Sequence, residues 1–206
     1  MTVYQSKYIL VHIPKTSGQS INTAMNPADP RMKEIKLPDA PFHHHWTAGE
    51  IKRAFPKEFE SYFKFAVVRH PLDRIVSEYS FYKTGRMGNK FRYWGRSLVP
   101  TLTFSQFISD VKDHCWDHPE HGIRCRYYPQ VNYLYDGEGN LMVDKVFRFE
   151  DRQEIDDFIF KTSGKKVIKR NRSTHDHYLS YYTRETLEVA QTLYKEDFDT
   201  FGYARF

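Results

Sequence analysis

Tyr8-Ile-Leu-Val-His-Ile-Pro-Lys-Thr-Ser-Gly-Gln-Ser20 passes from a short apolar run into a polar turn, and that passage decides the fold class. The run Tyr8 to Ile13 is short and β-rich, and Pro14 stops it, so it reads as a buried strand. Ile21, Ala24 and Met25 then recur at helical spacing. The unit is therefore strand, turn, helix. A second unit follows at Phe63-Lys-Phe-Ala-Val-Val68, ended by Arg69-His-Pro71, with Leu72, Ile75, Val76, Tyr79 and Tyr82 on one helical face. Pro71 suits the first turn of that helix.

Further elements fit the same alternation. Thr47 with Glu50 forms a capping box for a helix that runs to about Phe55, before Pro56. Thr103 opens a helix through Phe104, Phe107, Ile108 and Val111. Val131 to Val143, interrupted by Asp136-Gly-Glu-Gly-Asn140, reads as a hairpin. Val146 to Phe149 is a strand, and Asp151 begins a helix to about Thr162. Thr183, with Thr186 and Leu187, opens the last helix. Strands alternating with helices predict an α/β layered domain with a chiefly parallel sheet. No repeat or linker divides residues 1–206, so one domain is expected.

The bulk numbers bound the function. Among 206 residues, 31 Lys and Arg face 26 Asp and Glu, a net charge of +5. That excess suits an anionic ligand or polymer. The longest apolar run is far too short to span a bilayer, and the N-terminus lacks a signal-peptide pattern. Cys115 and Cys125 could pair, but two cysteines do not staple a secreted fold, so a cytoplasmic setting is expected.

Two constellations carry chemistry. At residues 14–20 the helix start offers unpaired N–H groups and a positive dipole end, which attract phosphate or sulfate. Gly18 lets the backbone approach closely. Lys15 adds charge, and Thr16, Ser17 and Ser20 add hydroxyls. The lysine precedes the glycine, so this is not the Gly-x-x-x-x-Gly-Lys loop of nucleotide kinases. Arg69, at a strand end, and Ser77, two helical turns on, can converge on one anion, with the guanidinium as a bidentate fork; taken alone, the pair reads more readily as a salt-bridged arginine and a solvent-facing serine.

Together these stretches resemble the sulfotransferases that use 3′-phosphoadenosine 5′-phosphosulfate (PAPS), in the branch of bacterial carbohydrate-type enzymes and heparan sulfate 2-O-sulfotransferase. His12 to Ser20 is similar to the family's 5′-phosphosulfate loop. Phe65-Ala-Val-Val-Arg-His-Pro-Leu-Asp-Arg-Ile-Val-Ser-Glu-Tyr79 is similar to its 3′-phosphate motif, and His43-His-His-Trp-Thr-Ala48 to its histidine segment. Weaker likenesses lie at 144–151, at Asn171-Arg-Ser173 and at Tyr181 and Tyr182, so the resemblance covers residue 8 to the end. Gln19 replaces the usual Thr, and His70 the usual Asn.

The resemblance implies a P-loop-NTPase-like layered α/β fold and transfer of a sulfuryl group from PAPS to an acceptor hydroxyl, leaving adenosine 3′,5′-bisphosphate. Lys15 would reach the bridging oxygen, while Thr16, Ser17, Gly18, Gln19 and Ser20 cradle the 5′-phosphosulfate. Arg69 and Ser77 would grip the 3′-phosphate, with Arg172 and Ser173 approaching the same side. The base is sought among His43, His44 and His45, since imidazole titrates near neutrality. The family's His-x-x-Ala pattern points to His45, then His44.

No metal is expected. His114, His118 and His121 have helical spacing, but Pro119 breaks that helix, and the cysteine spacing matches no zinc pattern. Lys83, Arg86, Lys90, Arg92 and Arg96, interleaved with Phe91, Tyr93 and Trp94, suit an anionic saccharide acceptor, or are a solvated basic loop. No RNA-binding motif or membrane insertion is read. A P-loop-like nucleotide kinase and a non-enzymatic binder of acidic polymer stand as the rival readings.

Overall fold

The structure is a computed structural model that describes residues 2–4, 7–25, 45–83, 101–115, 126–167 and 175–206. Its order is β1 (Thr2–Tyr4), β2 (Tyr8–Val11), α1 (Gly18–Met25), α2 (Ala48–Ala54), α3 (Pro56–Ser61), β3 (Phe63–Val68), α4 (Pro71–Lys83), α5 (Phe104–His114), α6 (Val131–Leu134), β4 (Lys145–Arg148), α7 (Arg152–Ser163), a 3₁₀ turn (Tyr178–Tyr181), α8 (Arg184–Leu193) and α9 (Lys195–Phe201). The sheet runs β1-β2-β3-β4. β2, β3 and β4 are parallel, and β1 folds back antiparallel on the edge of β2.

Strand side chains alternate between faces, and the sheet is apolar on both. Ile9, Val11, Ala66 and Val68 join the larger core, with Ile51 of α2, Leu72, Ile75 and Val76 of α4 and Phe107 of α5. Leu10, Phe65, Val67 and Phe147 face the other way, against Ile21 and Ala24 of α1 and Ile155 and Ile159 of α7. Each Val, Leu, Ile or Phe among them, removed wholly from water, stabilises the fold by about 1.5–3 kcal/mol. The capping boxes at Thr47, Thr103 and Thr183 all form.

Three local readings need correction. Val131–Leu134 is a helical turn, and the expected hairpin shrinks to one antiparallel bridge, Tyr135 with Leu141. The cause is Asp197 of α9, which accepts from the backbone N–H groups of both Gln130 and Val131 and caps a helical turn there. Pro56 starts α3 as well as ending α2. Finally, α8 is followed by α9.

Ten of the thirteen residues of α4 are buried, so this helix has no solvated face. Its polar members, Arg74, Ser77 and Glu78, are buried deep in the protein and demand partners. Their partners build the site.

Candidate active site

The turn after β2 is made by backbone geometry. Lys15 and Ser17 both sit in the left-handed region, at φ 66° and 71°. Such conformations cost about 1–2 kcal/mol in non-glycine residues and concentrate at functional sites. Thr16, buried, donates its hydroxyl to the Ile13 carbonyl at 2.9 Å and closes the turn. The Ser17 carbonyl accepts from the N–H groups of Ser20 and Ile21, which starts α1. The first N–H groups of α1 have no partner within the helix itself and are suited to an anion. Gly18 is required for another reason. A Cβ there would lie 2.0 Å from the His12 ring. Gln19 is exposed and Ser20 buried.

The end of β3 is made by side chains. Arg69 is buried, with Nε and Nη2 both 2.8 Å from Asp73 Oδ2. Its guanidinium lies over Phe149, 4.3 Å from the ring centroid. Nη1 donates to the Lys15 carbonyl at 3.1 Å. The two anion motifs, 54 residues apart in sequence, are thus in direct contact. Ser77 is buried on α4, four residues after Asp73 and so on the same helical face. Gln130 completes the strand end. Its Oε1 accepts from Arg69 N–H and its Nε2 donates to Arg69 O, each at 2.9 Å, as a neighbouring strand would.

His45 is wedged between these regions. Its Nδ1 donates to the His12 carbonyl at 2.9 Å, and the two imidazole rings are 4.6 Å apart. That bond places the proton on Nδ1, so in the neutral ring Nε2 is an acceptor. Burial first, then His12 and Arg126, pushes the His45 pKa well below 6.5. His45 is therefore neutral at pH 7, as a general base must be. Arg126 Nη1 stands 3.4 Å from Nε2.

Arg126 in turn is held by Glu78 of α4, through Nε to Oε1 and through Nη2 to Oε2 at 3.0 Å. Burial opposes ionisation of Glu78, but Arg126 and then Lys15 hold its pKa below the ordinary value. Lys15 Nζ lies 4.2 Å from the Phe81 ring centroid, and Arg126 covers the same ring at 5.4 Å. Arg74 donates to the carbonyls of Arg126 and Tyr128, fixing their backbone to α4. Lys15, Arg69, His45, Glu78 and Arg126 thus surround one end of the parallel strands, where open α/β sheets bind ligands.

The sulfotransferase family profile matches residues 2–204. The chain belongs to the sulfotransferase family. No curated protein and no solved structure gives a significant match. Membership carries sulfuryl transfer to a hydroxyl acceptor as the general activity of this sulfotransferase, and the layered α/β fold with its parallel strands agrees with it. Among the described residues no helix is long and apolar enough to cross a membrane, and no three His, Cys, Asp or Glu side chains gather as a metal site.

Of the predicted site residues, the structure brings together Lys15, the 16–20 loop, Arg69 and His45. His43, His44, Arg172 and Ser173 lie outside the described residues, as do Cys125 and the basic aromatic stretch after Lys83. His175 lies beside the Arg69 motif, its Nε2 3.7 Å from Asp73 Oδ1. The sequence reading missed Glu78, Arg126, His12, Phe81 and Gln130. Glu78 could have been found, because a carboxylate in the middle of the apolar face of α4 must have a buried cation opposite it.

Proposed function

We propose that this sulfotransferase takes its sulfuryl group from PAPS and delivers it to a carbohydrate hydroxyl, in a reducing cytoplasmic setting. The contact between Arg69 Nη1 and the Lys15 carbonyl carries the reading. It sets a guanidinium beside a helix-start anion loop, as a donor with separate 5′-phosphosulfate and 3′-phosphate groups requires. The left-handed turn and the N–H groups at the start of α1 fit the phosphosulfate end. Arg69 and Ser77 are assigned to the 3′-phosphate, with Asp73 orienting the guanidinium through Nε and Nη2; the family resemblance adds Arg172 and Ser173.

Sulfuryl transfer, like phosphoryl transfer, asks for positioning and electrostatics more than covalent help. Lys15 supports the departing 5′-phosphate oxygen, and the N–H groups at the start of α1 share that charge. His45 takes the acceptor proton at Nε2, while Nδ1, bonded to the His12 carbonyl, keeps the ring oriented. His44 is the reserve base. No metal enters the scheme.

Calorimetry with adenosine 3′,5′-bisphosphate and with ATP plus magnesium tests the donor. Tight binding of the bisphosphate and weak binding of ATP are expected, and the reverse preference would replace the reading by a nucleotide kinase. Radiolabelled PAPS offered to glycans, phenols and lipids then identifies the acceptor.

A further inference from the structure

Glu78 and Arg126 take no part in holding the donor as described above, yet both are charges held well inside the site. The side chain of Glu78 is 1% exposed and that of Arg126 is 14% exposed. A buried ion pair rarely stabilises a fold more than apolar residues of the same volume would. Its geometry is therefore the informative part. Glu78 accepts from Nε and Nη2, and Nη1 stands 3.4 Å from His45 Nε2. At 3.4 Å the contact is long for a hydrogen bond, so the imidazole holds Nη1 only weakly. Nη1 is well placed for an anion that arrives beside that imidazole. Lys15 and Arg126 flank one aromatic ring, Phe81, with Glu78 as the carboxylate both cations feel, so the trio keeps a positive charge over.

We infer that Arg126 is a catalytic residue for sulfuryl transfer, contacting the oxygens of the transferring group through Nη1, and that Glu78 is the positioning residue that aims it. The inference rests on the PAPS reading of the site. Before the acceptor arrives, Nη1 caps His45 Nε2. The acceptor hydroxyl displaces it and gives its proton to Nε2. The acceptor oxygen bonds to sulfur as the bond from sulfur to the bridging oxygen breaks. The electron pair of that bond leaves with the 5′-phosphate, supported by Lys15. Nη1, freed from the imidazole, meets the negative charge on the sulfuryl oxygens. Phe81 holds the two cations at one surface, so the leaving oxygen and the sulfuryl group are served by different groups.

The test avoids the unidentified acceptor by using inorganic sulfate as the sulfuryl probe. Calorimetry measures sulfate binding to protein saturated with adenosine 3′,5′-bisphosphate, for wild type, Arg126→Met and Glu78→Gln. Arg126→Met should weaken sulfate about tenfold, and Glu78→Gln by a smaller factor, with bisphosphate affinity unchanged within about twofold. The split between weakened sulfate and unchanged bisphosphate is the readout that a merely structural role would not give, and a nuclear magnetic resonance titration of the His45 ring checks that Arg126 faces the imidazole in solution. The groups facing His45 are His12 from the end of β2 and Arg126 from the segment before α6, with Glu78 of α4 behind it. Removing Arg126 removes a cation, so the His45 pKa should rise in Arg126→Met. Should Arg126→Met fail to fold, with Glu78 left buried and uncompensated, Glu78→Gln keeps the guanidinium and decides by the sulfate measurement alone. Unchanged sulfate affinity in the folded variants would overturn the inference while leaving the donor assignment intact. A wild-type protein that does not bind the bisphosphate would overturn both.

Discussion

Two strand ends meet at the site, and they are built from opposite materials. The turn after β2 is shaped by main chain: two residues at positive φ, a glycine against the His12 ring, and the first N–H groups of α1. The end of β3 is shaped by side chains: Arg69 on Asp73, Gln130 standing in for a strand, Asp197 behind Gln130. A backbone device tolerates exchange of its side chains but not of its conformation. A side-chain device tolerates neither loss of a partner nor an imperfect isostere. The first is written in a few adjacent letters, the second in letters scattered from 69 to 197.

Experiments on the two ends can sharpen or break that contrast. The largest effect is expected from Lys15→Ala, the one side chain of the first turn given a chemical task. Turnover with PAPS should fall about 100–1,000-fold, as when a donor to a developing oxyanion is removed, with bisphosphate binding reduced far less. Equal losses in both would make Lys15 a binding residue only. Gly18→Ala comes next. Its methyl group collides with an imidazole that cannot yield without disturbing His45, so a stability loss of about 1–3 kcal/mol in chemical denaturation should accompany weakened bisphosphate binding. An unaffected protein would mean that the turn is not conformationally determined.

At the other end, Gln130→Leu keeps volume and removes both bonds to the Arg69 backbone. Leaving buried N–H and C=O groups unpaired should cost about 2 kcal/mol, measured by urea unfolding, and should weaken bisphosphate more than sulfate. The smallest effect concerns pH. The folded-state pKa of His45 is depressed, so the unfolded chain binds its proton first as pH falls. The native state therefore loses stability as pH drops below about 6.5. Because His70 is shifted the same way, the His45 share is the difference between wild type and His45→Gln in thermal unfolding at pH 7.5 and 5.5. That difference should shrink at low pH, and a constant difference would show that the ring is not neutral in the native state.

The same contrast explains what could be read from the chain alone. β2, β3, α4, the capping box at Thr47 and the helix starts at Thr103 and Thr183 follow from apolar periodicity and neighbouring residues, and the structure has them where the pattern puts them. The 14–20 turn was legible because its determinants are contiguous. Arg126 was not, because its partner Glu78 lies 48 residues away and no spacing links them. The hairpin at 131–143 was misread for the same reason: Asp197, which makes Val131–Leu134 helical, arrives from α9. Sequence periodicity reports burial along an element. It says little about which distant polar group will satisfy an N–H.

α4 bears Asp73, Arg74, Ser77, Glu78 and Phe81 within little more than two turns. Donor-holding, base-guarding and cation-seating groups therefore share one rigid rod. Inserting a single residue between Asp73 and Ser77 would spin everything downstream by about 100° about the axis, detaching several duties at a stroke. Lineages can revise the loops that greet new acceptors piecemeal, whereas this rod must be inherited whole.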